Sequence, residues 1–157
     1  MMRHDRLLRE HVHDPYRLRA KLHDVSLCPH CGATYRAGRW QWRHARLAAA
    51  TGRTVCPACR RAADRCPAGI LSIDGAFVRD HPAQVMALCL HTQGKAASDH
   101  PMSRIIGIEP AGDGFRLTTT DTHLPRRIGH ALRSAYHGRL VFHHGKGSTL
   151  PRVEWHC

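Results

Sequence analysis

Apolar residues in this chain fall in short runs whose spacing changes from element to element. Ile70-Leu71-Ser72-Ile73 and Ala76-Phe77-Val78 flank Asp74-Gly75, a two-residue hairpin signal that predicts two antiparallel strands. Pro82 suits the first turn of a helix. Val85, Met86, Leu88, Cys89 and Thr92 make the inner face of that helix, and Gly94 its expected end. Residues 95–101 read as a polar loop. Ile105, Ile106 and Ile108 predict a strand, Pro110-Ala111-Gly112-Asp113-Gly114 a turn, and Phe115 to Thr119 a second strand. Asp121 caps a helix that ends near Tyr136, with Gly138 as its stop. Leu124, Ile128, Leu132, Ala135 and Tyr136 form the apolar stripe of that helix, and Arg126, His130, Arg133 and His137 a basic one. Leu140 to Phe142 and Val153 to Trp155 add two strands. The expectation for residues 68–157 is an α+β domain, a largely antiparallel sheet with two helices on one face.

Upstream, periodicity gives way to cysteine spacing. Cys28-Pro29-His30-Cys31 and Cys56-Pro57-Ala58-Cys59 supply four thiolates, the number that closes a tetrahedral structural zinc site. A two-residue gap lets both sulfurs of a pair face one ion, and the repetition matches zinc-ribbon spacing. Gly32 fits a tight knuckle, and Pro29 and Pro57 stiffen equivalent positions. One zinc ion, held by Cys28, Cys31, Cys56 and Cys59, is therefore expected in a two-knuckle ribbon spanning residues 28–67. Residues 1–27 read as a basic arm, broken at Pro15, with a short helix from Arg17 to Leu22. Cys28 and Cys31 taken alone also match the tetrapeptide of thiol-disulfide oxidoreductases, which requires a strand-helix-strand setting with the motif opening the helix. Gly-Ala-Thr-Tyr-Arg-Ala-Gly follows instead, and reads as a turn or short hairpin.

Between the two pairs, Trp40 to Ala50 favours helix, with Gly52 as its cap. Arg39, Arg43 and Arg46 then share one face, and Trp42, Ala45 and Ala49 another. Trp40 and Trp42 either pack on the knuckles as a miniature core or stack on unpaired bases.

Charge sharpens this picture. The net charge is +12 with pI near 10.3. Residues 28–67 hold eight arginines against Asp64 alone, whereas residues 1–27 hold six basic and four acidic side chains and residues 68–157 ten and seven. One or two of these arginines can neutralise the thiolate cluster; the rest call for a polyanion. Arg36, Arg39, Trp40, Trp42, Arg43, Arg46, Arg53, Arg60 and Arg61, with Arg126, His130 and Arg133 downstream, are the expected nucleic-acid contacts. No apolar run approaches the ~20 residues of a membrane span, and the opening Met-Met-Arg-His-Asp-Arg lacks the apolar core of a signal peptide. A reducing cytoplasmic setting follows as an expectation, in which cysteine pairs favour metal over disulfide. Cys66 and Cys89 read as small apolar residues, and Cys157 as a free thiol. Gly145-Lys146-Gly147-Ser148-Thr149 lacks the spacing of a phosphate loop and reads as a flexible basic turn. No catalytic constellation is placed.

Cys28-Pro-His-Cys-Gly-Ala-Thr-Tyr35, Gly38-Arg-Trp-Gln-Trp42, Cys56-Pro-Ala-Cys-Arg60, Pro67-Ala-Gly69, the run 119–129 and Ala135-Tyr-His-Gly138 together resemble a family of small bacterial zinc-ribbon proteins. The resemblance runs from His13 to Trp155; Pro125 departs from it, where alanine is usual. The knuckles are in turn distantly similar to the N-terminal half of the archaeal and eukaryotic adaptor for large-subunit ribosome export. That similarity implies docking on ribosomal RNA. The resulting expectation is a zinc-stabilised, basic, non-enzymatic protein that binds RNA or the ribosome. The alternatives are a redox enzyme using Cys28 and Cys31, and a zinc-ribbon adaptor for an acidic protein surface.

Overall fold

The computed structural model describes residues 14–16, 22, 25–42, 52–143 and 150–157. Its first sheet comprises β1 (Val25–Leu27), β2 (Thr34–Arg36), β3 (Arg39–Gln41) and β4 (Gly52–Arg53), in the order β3-β2-β1-β4. β1 and β4 run parallel, and the other neighbours antiparallel. Ala37 and Gly38 join β2 to β3 with φ of 50° and 81°, the left-handed pair that a tight hairpin turn requires. The hairpin register, with Tyr35 opposite Trp40, places Trp40 and Gln41 on a strand and not at the start of the helix expected over 40–50, whose remainder from 43 on lies outside the described residues. The i, i+4, i+7 arginine face therefore does not form through Arg39, which lies on β3. Arg43, Ala45, Arg46 and Ala49 lie outside the described residues, as do residues 17–21 of the short helix and the basic turn Gly145–Thr149. Because β1 pairs into this sheet, the metal module begins before Cys28, inside the expected arm.

Helix α1 (Pro57–Asp64) links this sheet to a second one. That sheet contains β5 (Gly69–Asp74), β6 (Ile105–Ala111), β7 (Gly114–Thr119), β8 (Arg139–His143) and β9 (Arg152–His156), ordered β6-β7-β5-β9-β8. It is antiparallel except where β5 meets β9 in parallel. Helix α4 (Leu124–Tyr136) packs on β9, β5 and β8, while α2 (Ala76–Asp80) and α3 (Pro82–Asp99) pack beside it. Alternate strand residues face these helices. Leu71, Ile73, Leu117, Val153 and Trp155 are buried against Leu124, Ile128 and Leu132 of α4 and Val85, Cys89 and Ala96 of α3. The Trp155 indole N–H donates to the His137 carbonyl at 2.8 Å, which satisfies the polar end of the largest core side chain. His123, and not Asp121, is the N-cap residue of α4, but the Asp121 carboxylate two residues earlier still accepts from the first helical N–H, that of Leu124, at 2.8 Å.

Three of the sequence expectations change here. Ala76–Val78 is helical, not a strand, because β9 takes the position beside β5 that a local hairpin partner would fill. Gly94 does not end α3, which continues to Asp99 and buries Ala96; that burial outweighs the ~1 kcal/mol cost of a mid-helix glycine. The unit thus carries three helices and one parallel strand pair. No described helix is long and apolar enough to cross a membrane.

Gly75 sets the junction between β5 and α2. Its φ is +115°, and a Cβ there would sit on the Cys157 carbonyl, which accepts from the Phe77 N–H at 2.9 Å. Gly75→Ala should therefore lower the unfolding free energy by at least ~2 kcal/mol, through backbone strain and overpacking together. Urea denaturation of the metal-loaded protein checks this, with a lower midpoint and an unchanged slope as the expected result.

Candidate metal centre

Each cysteine pair is presented by a different local structure. Cys28 follows β1, and the turn after it is closed by two backbone bonds, Gly32 N–H to Cys28 O at 3.0 Å and Cys28 N–H to Ala33 O at 2.8 Å. Gly32 supplies the positive φ of 77° that this knuckle needs. The second pair lies in no second knuckle. Cys56 is the N-cap of α1, its sulfur accepting from the Cys59 N–H at 3.4 Å, and Pro57 occupies the first helical position. The two-knuckle ribbon is in this respect a knuckle and a helix start. Proline at N1 costs the helix nothing, and the positive end of the helix dipole favours thiolates.

The four sulfurs all lie within 4.8 Å of one another. Cys31 Sγ and Cys56 Sγ are 3.7 Å apart. Zinc–sulfur bonds of ~2.3 Å in a tetrahedron place the sulfurs about 3.8 Å apart, so the donor set and its spacing fit one zinc ion. Cys28 and Cys56 are buried, Cys31 and Cys59 half-buried. Ala33 and Ala58 complete the small core around them, with Trp40, Val55 and Met102 packed on its rim.

The residue that closes the centre comes from the other unit. Arg104, just before β6, brings one guanidinium nitrogen to 3.3 Å from Cys56 Sγ, 3.5 Å from Cys59 Sγ and 3.8 Å from Cys31 Sγ. Its backbone is held by Thr120, whose hydroxyl accepts from the Arg104 N–H at 2.9 Å and donates to the Met102 carbonyl at 2.6 Å. A zinc ion with four thiolates carries about −2, and Arg104 offsets one of those charges at contact distance. No short-range signal marks this residue, which stands 45 positions beyond Cys59. The expectation that module arginines neutralise the cluster is thus met by an arginine from outside the module.

The thiols respond to this environment unequally. Burial pushes Cys28 up, but N–H donors from Cys56, Cys31 and His30 outweigh it and bring the thiol down to about 6. Burial pushes Cys56 and Cys59 upward, with Arg104 opposing the rise at Cys59. Arg104 is itself held above the usual guanidinium range: burial works against its charge, and Cys59, Cys56 and Cys31 more than compensate.

The other predicted contacts divide by position. Arg36, Arg39 and Arg53 are exposed on strands of the first sheet, and Arg60 is half-buried on α1. Arg61 is buried: it pairs with Asp14 at 2.6 Å, stacks over the Tyr16 ring at 4.3 Å and donates to the Cys66 carbonyl at 3.2 Å. It therefore clasps the arm to α1 and presents no charge to a partner. Trp40 packs toward the cysteines and meets Tyr35 edge-on at 5.5 Å. Trp42 keeps an exposed ring, but its indole N–H donates to the Ala97 carbonyl of α3. Arg126, His130 and Arg133 are exposed on α4, far from the cysteines in sequence and on the second unit. Cys89 is fully buried, and burial pushes its thiol up to about 12, so it acts as an apolar side chain. Cys157 is half-buried and its thiol donates to the Tyr136 carbonyl at 3.4 Å.

Purified protein should carry about one zinc per chain by elemental analysis, and Cys56→Ser should lose it together with the fold of the first sheet. Arg104→Met should retain the metal but weaken its hold by roughly 10- to 100-fold, the usual effect of removing a partner of a metal ligand. Competition against a chromophoric chelator reads this directly, and equal affinity in the variant would show that Arg104 only packs.

No protein-family model, curated protein or solved structure matches this chain, so the nature of the centre rests on its own donor set and geometry.

Proposed function

We propose that this chain is a zinc-stabilised basic protein that binds RNA, with ribosomal RNA as the partner class. One observation carries the reading. Arg36 and Arg39 stand directly opposite each other across β2 and β3, both exposed, with no carboxylate paired to either among the described residues. Like charges at opposed strand positions are destabilising, and a polyanion relieves that repulsion. Arg53 adds an exposed charge on β4 of the same sheet. The ion pairs of the described residues engage Arg61, Arg79, His143 and His156, and leave these three arginines to solvent. Guanidinium forks suit phosphate oxygens, and the exposed Trp42 ring offers a surface for an unpaired base.

The redox reading is less well supported. Cys28, the first cysteine of that tetrapeptide, is 1% exposed, whereas attack on a disulfide needs an accessible thiolate. Cys28 also sits in a turn between strands rather than at a helix start.

Phosphate contacts release counterions, so affinity for single-stranded RNA should fall steeply with salt. The combined variant Arg36→Gln, Arg39→Gln, Arg53→Gln should flatten the log–log salt slope by about two, at roughly 0.7 for each phosphate no longer neutralised. Fluorescence anisotropy with a labelled oligonucleotide measures it. Co-sedimentation with ribosomes, before and after a salt wash, tests the partner class. An unchanged slope would remove the first sheet from the interface, and salt-resistant capture of an acidic protein in place of RNA would favour the adaptor alternative.

A further inference from the structure

A second basic feature lies on the other unit. The first turn of α4 and the adjoining ends of β8 and β9 enclose a pocket of about 190 Å³, lined by His123, Arg126, Phe142, His143, Arg152 and their neighbours. Pockets that engulf whole small molecules run to roughly 300–1,000 Å³. This one has room for a single group of a larger ligand.

The charged residues that line it have one sign. Arg126 and Arg152 are exposed, and neither pairs with a carboxylate among the described residues. The lining itself holds no carboxylate; Glu154, which is not part of it, pairs with His143 at 3.0 Å. Arg126 is also held in place, its guanidinium 4.9 Å from the centre of the Phe142 ring, against which His130 packs at 5.5 Å. Stacking fixes the plane of the fork while its edge stays in water, so less side-chain entropy is lost when an oxyanion binds. Phe142 is covered by Arg126 and His130, which argues against base stacking there and for recognition by charge.

We propose that this pocket is a phosphate-binding site, with Arg126 and Arg152 as its two cationic arms, and that its occupant is a phosphate of a bound polynucleotide. The identity of the occupant rests on the RNA reading above; the phosphate chemistry of the pocket does not. α4 and the first sheet would then contact one strand at two separate places.

The test uses the full chain, zinc-loaded and labelled with ¹⁵N, and follows the arginine Nε–Hε signals. Two probes are titrated: inorganic phosphate, and single-stranded RNA. The Arg126 and Arg152 signals are expected to move saturably with both, and the Arg116 signal, from β7, with neither. Arg126→Gln with Arg152→Gln should flatten the salt slope for RNA by about 1.4, two phosphates at roughly 0.7 each. Signals unmoved by either probe overturn the site, even if RNA binds through the first sheet. Signals that move with inorganic phosphate while the RNA slope of the double variant stays at the wild-type value overturn the polynucleotide as occupant and assign the pocket to a small phosphoester. Signals that move with phosphate in a protein that does not bind RNA overturn that occupant and the RNA reading together.

Discussion

Four cysteine sulfurs within 4.8 Å of one another cannot coexist as anions unless a cation lies among them. Two unit charges 4 Å apart repel by about 4 kcal/mol at the effective dielectric of a protein surface, and a tetrad contains several such pairs. The first sheet depends on the resolution of that conflict. Its strands are two or three residues long, and its fully buried apolar side chains are alanines and the cysteines themselves. A core of that size cannot offset the conformational entropy of its loops, whereas zinc binding can contribute on the order of 10 kcal/mol to a small module. A metal bound there would in this sense be the larger part of the module's core.

Arg104 extends this dependence to the rest of the molecule. Its guanidinium faces three of the four sulfurs, and its backbone is bonded to Thr120 at the end of β7. Met102, two residues earlier, packs on the rim of the cysteine core, and Trp42 reaches across to α3. The second unit therefore contributes both the charge that faces the cluster and an apolar side chain on its rim. In return the thiolates stabilise a half-buried guanidinium whose Nε is buried with no hydrogen-bond partner among the described residues. Metal site and sheet are one energetic unit, and a change at either is felt by the other.

The arginines fall into two groups once burial is considered. Arg61 and Arg104 serve the fold, one clasping Asp14 and Tyr16, the other capping the thiolates. Arg36, Arg39, Arg53, Arg126, Arg133 and Arg152 keep their forks in water. Composition alone does not separate the groups, since both consist of the same side chain at similar spacing. What separates them is whether an acid or a sulfur stands within reach of the guanidinium in three dimensions.

The sequence by itself determined what local chemistry encodes. Cysteine spacing identified the ligand set, because two residues between cysteines suffice to turn both sulfurs to one point. The 3.6-residue periodicity and Asp121 placed α4, and Pro82 placed the start of α3. The alternation of apolar residues located β5, β7, β8 and β9, and Gly112-Asp113 the turn between β6 and β7. Tertiary structure decided everything that depends on partners distant in the chain. Asp74-Gly75 obeys a local turn rule, yet β9 arrives from some 80 residues away to pair with β5, and Ala76–Asp80 is left to coil into a helix. Trp40 follows its strand partner Tyr35 rather than its own helical propensity, and Gly94 is carried through α3 by the burial of Ala96. The second cysteine pair opens a helix because the dipole and Pro57 favour it, a choice its spacing leaves undetermined. Arg104 reaches the thiolates only because the segment leading into β6 lies beside the cysteine cluster, and no rule of sequence spacing can report a contact made between two folded units.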